Sequence, residues 1–141
     1  MVRINLINPS SLSDQHLIAE YNEILMLIGY VKKHPSIEDL PKKYSLGKGH
    51  IRFFKDKLGY LKRRHERIKR EMMKRGFKTS KRVMLGDFPR KMRNDWKPKK
   101  EDKETIKKRL IQRLREKPWI HTYYGERLPL KEMVDMIKNS D

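Results

Sequence analysis

Cysteine is absent from the 141 residues, so no disulfide, thiolate metal ligand or cysteine nucleophile is available. No apolar run approaches the roughly 20 residues that a membrane-spanning helix needs. Asn5, Asn8 and the polar stretch from Ser10 to Asp14 interrupt any secretory leader at the start. Apolar residues are few, at 36%, with a mean hydropathy of −0.93; the core must therefore come from amphipathic elements whose other faces are wet. Negative charge is scarce as well. Asp and Glu number 18 against 36 Lys and Arg, and the net +18 favours polyanions and salt-dependent binding. Nucleic acid is the polyanion this field suits best, with ribosome association, a basic membrane surface or a general lysine bias as the other readings.

What is present is helical periodicity. The length suits one domain. Residues 2 to 8 read as a short extended segment, closed by Pro9 and a serine cluster that supplies helix caps. A first helix is expected from Ser13 to His34, with Leu17, Tyr21, Ile24, Leu25, Ile28 and Val31 as its apolar face. His16, Glu20 and Glu23 fall at i, i+4 and i+7, a separate polar stripe expected to point away from the core centre. A second helix is expected from Gly49 to Arg75, with Ile51, Phe54, Leu58, Leu61, His65, Ile68 and Met72 inward, His65 being structural. Its other faces hold eleven cations, Arg64 among them, against three acids, and suggest a phosphate-tracking surface. Residues 77 to 100 read as a long loop wrapping Phe88 and Trp96 onto the core. A third helix is expected from Glu101 to Lys117, stopped by Pro118, and a last amphipathic turn or two over 130 to 138. The expected fold is all-α: a compact single domain of three main helices over residues 1–141, with long connecting loops and a short C-terminal helix.

Chemistry is harder to place. The histidines at 16, 34, 50, 65 and 121 lack metal-ligand spacing, so no metal and no cofactor is expected. "LGKGH" at 46 to 50 could present backbone amides to a phosphate or simply start a helix, and it lacks the spacing of a Walker loop. One nucleophile remains that composition cannot hide, the α-amine. Its reference pKa of about 7.7 to 8.0 leaves an appreciable neutral fraction near pH 7, and neighbouring arginines such as Arg3 lower it further. Such an amine can attack a sugar carbon and form an imine. Val2 would carry it once Met1 is trimmed.

"RINL" at 3 to 6, "DQHL" at 14 to 17, "AEY" at 19 to 21, Glu23, "KH" at 33 to 34, "GH" at 49 to 50, "FF" at 53 to 54, "DKL" at 56 to 58, "KRGF" at 74 to 77 and "YYG" at 123 to 125 stand in an informative order. Over most of residues 2 to 125 the chain resembles the pyrimidine-dimer DNA glycosylases, a family of ultraviolet-damage repair enzymes with a bacteriophage member. The resemblance implies a monomeric, cofactor-free enzyme that binds double-stranded DNA containing damaged bases, kinks it and flips a base. An amine at residue 2 would displace the damaged base at the sugar C1′, form an imine and nick the strand by β-elimination, giving a glycosylase with associated lyase activity. Carried over, Val2 is the nucleophile and Glu23 the carboxylate that assists ring opening and stabilises the cationic intermediate. Arg3 and His16 would hold the lesion and its phosphates; Gln15, Asn22, Lys33, His34, Lys48, His50, Arg52, Tyr123 and Tyr124 are the further candidate DNA contacts. From the residues alone, Arg3 could instead pair with Glu20 or Glu23, and the two tyrosines lean towards packing. A cytoplasmic, nucleoid-associated location with no membrane partner goes with this reading. The phage member has threonine at the position of Val2, a mild change because the reacting atom is backbone. It has arginines at those of Asn22 and Met26, so lesion choice is less fixed than reaction type. Residues 126 to 141 extend past the matched region. The other functions in view are the same chemistry on abasic sites or other damaged bases, and a non-catalytic basic DNA-binding protein.

Overall fold

The computed structural model describes residues 3–141. Its elements, in chain order, are α1 (Asp14–Lys33), α2 (His50–Phe53), α3 (Leu58–Lys74), α4 (Lys100–Glu116) and α5 (Leu130–Lys138), with short 3-10 turns at Pro9–Ser11, Arg90–Met92 and Pro118–Ile120. No strand occurs among the described residues, and the fold is all-α as expected. No helix is long and apolar enough to cross a membrane.

α1 begins where Ser13, in extended conformation, accepts the His16 N–H on its hydroxyl. It ends on Lys32 and Lys33, which suit the negative end of the helix dipole. Leu17, Tyr21, Ile24, Leu27 and Val31 are buried and pack chiefly against α3; Leu27, rather than the expected Ile28, completes the stripe. Glu20 corrects the polar-stripe reading more sharply. It is fully buried, and Arg64 of α3 grips it with a two-pronged pair, Nε to Oε2 at 2.8 Å and Nη2 to Oε1 at 3.0 Å. The third prong of Arg64, Nη1, donates to the Ile7 carbonyl. Arg64 is therefore a core residue and not part of a phosphate-tracking face. Burying either ion alone would cost several kcal/mol, which the fork geometry and satisfied lone pairs offset.

The expected second helix is two elements. α2 stops at Phe53, and a turn over residues 54 to 57 re-aims the chain before α3 begins. The break seats Phe53 and Phe54 against Tyr44, Tyr60 and Trp96 in an aromatic cluster. It also brings Gly59 against the 93–94 loop, where a Cβ would meet the Arg93 carbonyl at 2.5 Å; only glycine fits this approach. His65 is buried, stacked on Tyr21, with Nε2 3.0 Å from the Tyr21 carbonyl, the structural role expected. The 77–100 loop does wrap the core, burying Val83, Leu85, Phe88 and Met92 and half-burying Trp96. α5 is a full helix of nine residues whose Met133, Val134 and Ile137 are buried, packing against α4 and the Pro9–Ser11 turn.

Candidate active site

Two polar networks hold the N-terminal segment in place. The Ile4 N–H donates to His50 Nε2 at 3.0 Å and Tyr44 donates its hydroxyl hydrogen to the Ile4 carbonyl at 3.0 Å. Because Nε2 accepts, Nδ1 carries the proton and donates it to the Ser45 carbonyl at 2.7 Å. Burial pushes the His50 pKa down to about 4, so the ring is neutral in this role. His50 is 1% exposed with both nitrogens engaged, which corrects its place among candidate DNA contacts: it anchors the segment that carries Arg3. Leu6 adopts φ of 59° and the Ile7 N–H turns back to the Asn5 carbonyl, a tight three-residue turn in a region that costs a non-glycine residue of order 1–3 kcal/mol. The surrounding burial of Ile4, Leu6 and Ile7 sustains it.

The second network closes the tail onto α1. Asp14 accepts from the Thr122 hydroxyl at 2.6 Å, the Gly125 N–H at 2.8 Å, Arg75 Nη1 at 3.0 Å and the Tyr124 N–H at 3.1 Å. Burial raises its pKa, but these donors together outweigh that and hold it below the ordinary carboxylate value. The Arg75 guanidinium lies against both the Tyr123 and Tyr124 rings, at 4.6 and 5.0 Å from their centroids, and also pairs with Glu71. Tyr123 donates to the Ser10 carbonyl and Tyr124 to Glu71, so both tyrosines are engaged in this lock and neither lines the cleft described next.

Between the first turns of α1 and the C-terminal half of α4 opens a cleft of about 350 Å³. Gln15, His16, Ala19 and Glu23 of α1 form one wall and Ile106, Arg109, Leu110, Arg113 and Glu116 of α4 the other, with Arg3, Asn5, Lys117, Ile120 and His121 completing the lining. Gln15 is fixed by a two-way exchange with Thr122. The Arg3 backbone N–H hydrogen-bonds the Glu23 carboxylate. Burial, then the negative charge of Glu20 one turn away, raises Glu23 to about 7, so it exchanges its proton near neutrality. His16 packs against His121 with centroids 4.6 Å apart; burial, then His121 and Arg113, pushes its pKa down to about 3. Its Nδ1 is buried without a hydrogen-bond partner among the described residues. His121 in turn is held by the Ser13 hydroxyl at 2.9 Å. Arg3 has a lowered pKa through burial and then Arg109, the mark of guanidiniums crowded around one space.

The cleft thus gathers Arg3, Gln15, His16 and Glu23 from the candidates named by sequence. Val2 lies outside the described residues. Asn22 is exposed on α1, its amide donating to the Ile18 carbonyl; Lys33, His34 and Lys48 are exposed and outside the lining; Arg52 donates to the Asp39 carbonyl. Arg109, Arg113 and His121 were missed. The two arginines sit one turn apart on the polar edge of the Ile106/Leu110/Leu114 stripe, a pattern that sequence reading takes for an ordinary solvated face.

A helical shell thus surrounds a small cleft with a carboxylate and a neutral imidazole on one wall and two guanidiniums beside Glu116 on the other, groups that can attract an anion and exchange a proton. A sequence model of the pyrimidine dimer DNA glycosylase family matches residues 1–85, and the chain belongs to that family. The matched stretch supplies the α1 wall and the N-terminal segment, and the α4 wall lies beyond it. The substrate of the family is DNA bearing pyrimidine dimers, and its activity is that of a DNA glycosylase.

Proposed function

We propose that the chain excises the damaged base of a pyrimidine dimer in duplex DNA through an imine on the α-amine of Val2 and then cleaves the strand by β-elimination. The observation that carries this reading is the hydrogen bond from the Arg3 N–H to Glu23: only a carbonyl carbon and a Cα separate that nitrogen from the α-nitrogen of Val2. The tether limits how far such an amine can stray from Glu23, whose carboxyl exchanges its proton near neutrality. The amine attacks C1′ and the C1′–base bond breaks with its electrons leaving on the base; Glu23 then relays one N–H proton of the resulting aminal to O4′ as the C1′–O4′ bond breaks, which opens the ring and leaves the protonated imine. Glu23 as carboxylate stabilises that cation, and it is placed to take the C2′ proton whose loss expels the 3′ phosphate.

A cleft of about 350 Å³ accommodates a nucleotide and not a duplex, so the reacting unit must leave the stack. Arg3, Arg109 and Arg113 meet its phosphates, and the neutral His16 ring, whose buried Nδ1 has no partner among the described residues, flanks the everted sugar or base. The whole chain, residues 1–141, acts as one domain, because the α4 wall completes what the N-terminal region begins.

Borohydride reduction on dimer-bearing duplex in the presence of chelator tests the mechanism. A covalent adduct at a trimmed Val2 is expected with the native protein, and none after N-terminal acetylation. Cleavage without any trapped adduct would overturn the imine route. Comparison of dimer, abasic and oxidised-base duplexes separates lesion preference from reaction type.

A further inference from the structure

A second positively charged surface lies away from the cleft. On α3, Arg63, Arg67, Arg70 and Lys74 recur at i, i+4, i+7 and i+11 and so share one stripe, about 16 Å long. The stripe lines two adjoining grooves that have Arg67 in common. One is completed by Trp96, Lys97 and Lys103, the other by the N-terminal segment at Asn8 and Pro9. Neither groove shares a residue with the cleft, and α3 meets the cleft-lining α1 through the buried Arg64–Glu20 pair.

Of the acids nearby, Asp95 is committed to Arg63 at 2.7 Å and Glu71 to Arg75 and the Tyr124 hydroxyl, while exposed Glu66 flanks the stripe one turn from Arg63 and Arg70. Arg67, Arg70 and Lys74 form no ion pair among the described residues. Burial, then the guanidiniums of Arg64, Arg63 and Arg70, lowers the pKa of Arg67, so its charge is held against repulsion that an incoming anion would relieve. A solvated helix face ordinarily alternates charge sign along such a stripe. This one repeats a single sign at regular intervals over the axial length of about five base pairs.

We propose that the α3 stripe binds the phosphate backbone of a second DNA duplex, undamaged and read without regard to sequence, while the cleft holds the lesion-bearing one. A rigid row of guanidiniums suits repeated phosphodiesters, and duplex DNA is the polyanion the protein meets wherever it works. The protein would then link two DNA segments, transferring between them or holding them together.

The test is a bridging assay. Undamaged biotinylated duplex on beads, incubated with the full chain, should retain a second fluorescent duplex. The variant R67E/R70E should lose about tenfold or more of that retention, while single-turnover cleavage of a short lesion-bearing duplex stays within about twofold. R67Q/R70Q, expected to lose less, serves if charge reversal disturbs the helical circular dichroism. Unchanged retention in the variants, no bridging by the native chain, or a parallel fall in cleavage would each overturn the proposal; the last would assign the stripe to the footprint of a single duplex. Tighter capture of RNA or of anionic vesicles than of duplex DNA would overturn it too. Bridging is read without catalysis, so a failed imine mechanism leaves this result distinguishable.

Discussion

Glu20 and Glu23 stand one turn apart on the same helix, and their surroundings give them opposite work. Glu20 is sealed in the core and forked by Arg64, its charge matched at both oxygens. Glu23 lines an open cleft, accepts from the Arg3 backbone N–H and is lifted to about 7 by burial and by Glu20 itself. One carboxylate fixes the helices, and the other exchanges its proton near neutrality. The difference teaches that the partner across the core, and not the position along the helix, decides whether a carboxylate is locked into the fold or left facing a cleft.

Changes at each carboxylate should separate stability from activity. The largest effect expected is on rate: Glu23→Gln should lower single-turnover cleavage by about 10² to 10⁴-fold, read on dimer-bearing duplex, with unchanged circular dichroism. The same variant should be more heat-stable than the native chain at pH 8. The folded pKa of Glu23 exceeds its ordinary 4.5, so its contribution to stability is full below 4.5 and is lost as pH rises through about 7; glutamine escapes that loss. The thermal advantage should vanish at pH 4. Equal stability at both values would show that the carboxyl is not strained.

On the buried side, Arg64→Ala should destabilise by about 3–5 kcal/mol in urea unfolding, because it strands Glu20. Replacing both members, E20L/R64M, should be much milder than either single change. If the double variant is as unstable as the single one, the pair is holding more than its own charge, and the Ile7 carbonyl that Arg64 also serves is the place to look.

His50 extends the comparison to pH. Its folded pKa, about 4, lies below the ordinary 6.5, so the unfolded chain takes up the proton first. Stability should be full above 6.5 and fall as pH drops through about 4, by roughly 3 kcal/mol for this group. His50→Gln should flatten that slope in urea titrations at successive pH values, and cleavage should weaken along with the anchoring of residue 4. The smallest effect belongs to the opposite wall: Arg113→Gln should weaken lesion-DNA binding about tenfold and reduce the salt slope by about one, measured by anisotropy. An unaltered slope would mean that its guanidinium meets no phosphate.

Helix positions were largely legible because apolar spacing of three and four is a local signal. α1, α4 and α5 lie within a residue or two of their expected limits. The break at residues 54 to 57 was not, since α2 and α3 continue the same apolar alternation across it; only the approach of the 93–94 loop to Gly59 requires the turn. Arg3, Gln15, His16 and Glu23 could be singled out by resemblance and do share one cleft. Arg64, Glu20 and His50 could not be told from surface groups, because burial of a charged or polar side chain depends on a partner 44 or 46 residues away. Arg109, Arg113 and His121 escaped for the same reason: the wall they build exists only once α4 and the tail are folded back across α1.

The lock at Asp14 also bears on how the protein is made. Gln15, Ser13 and Asp14 close on residues 121 to 125, which emerge from the ribosome roughly a hundred residues after Glu23 at about 5–20 residues per second. For several seconds a nascent chain owns Glu23 without the tail that completes its cleft. A chain stopped at Lys117 would already hold Glu23, Arg109 and Arg113 but would lack His121 and the clasp that ties residues 121 to 125 to the start of α1.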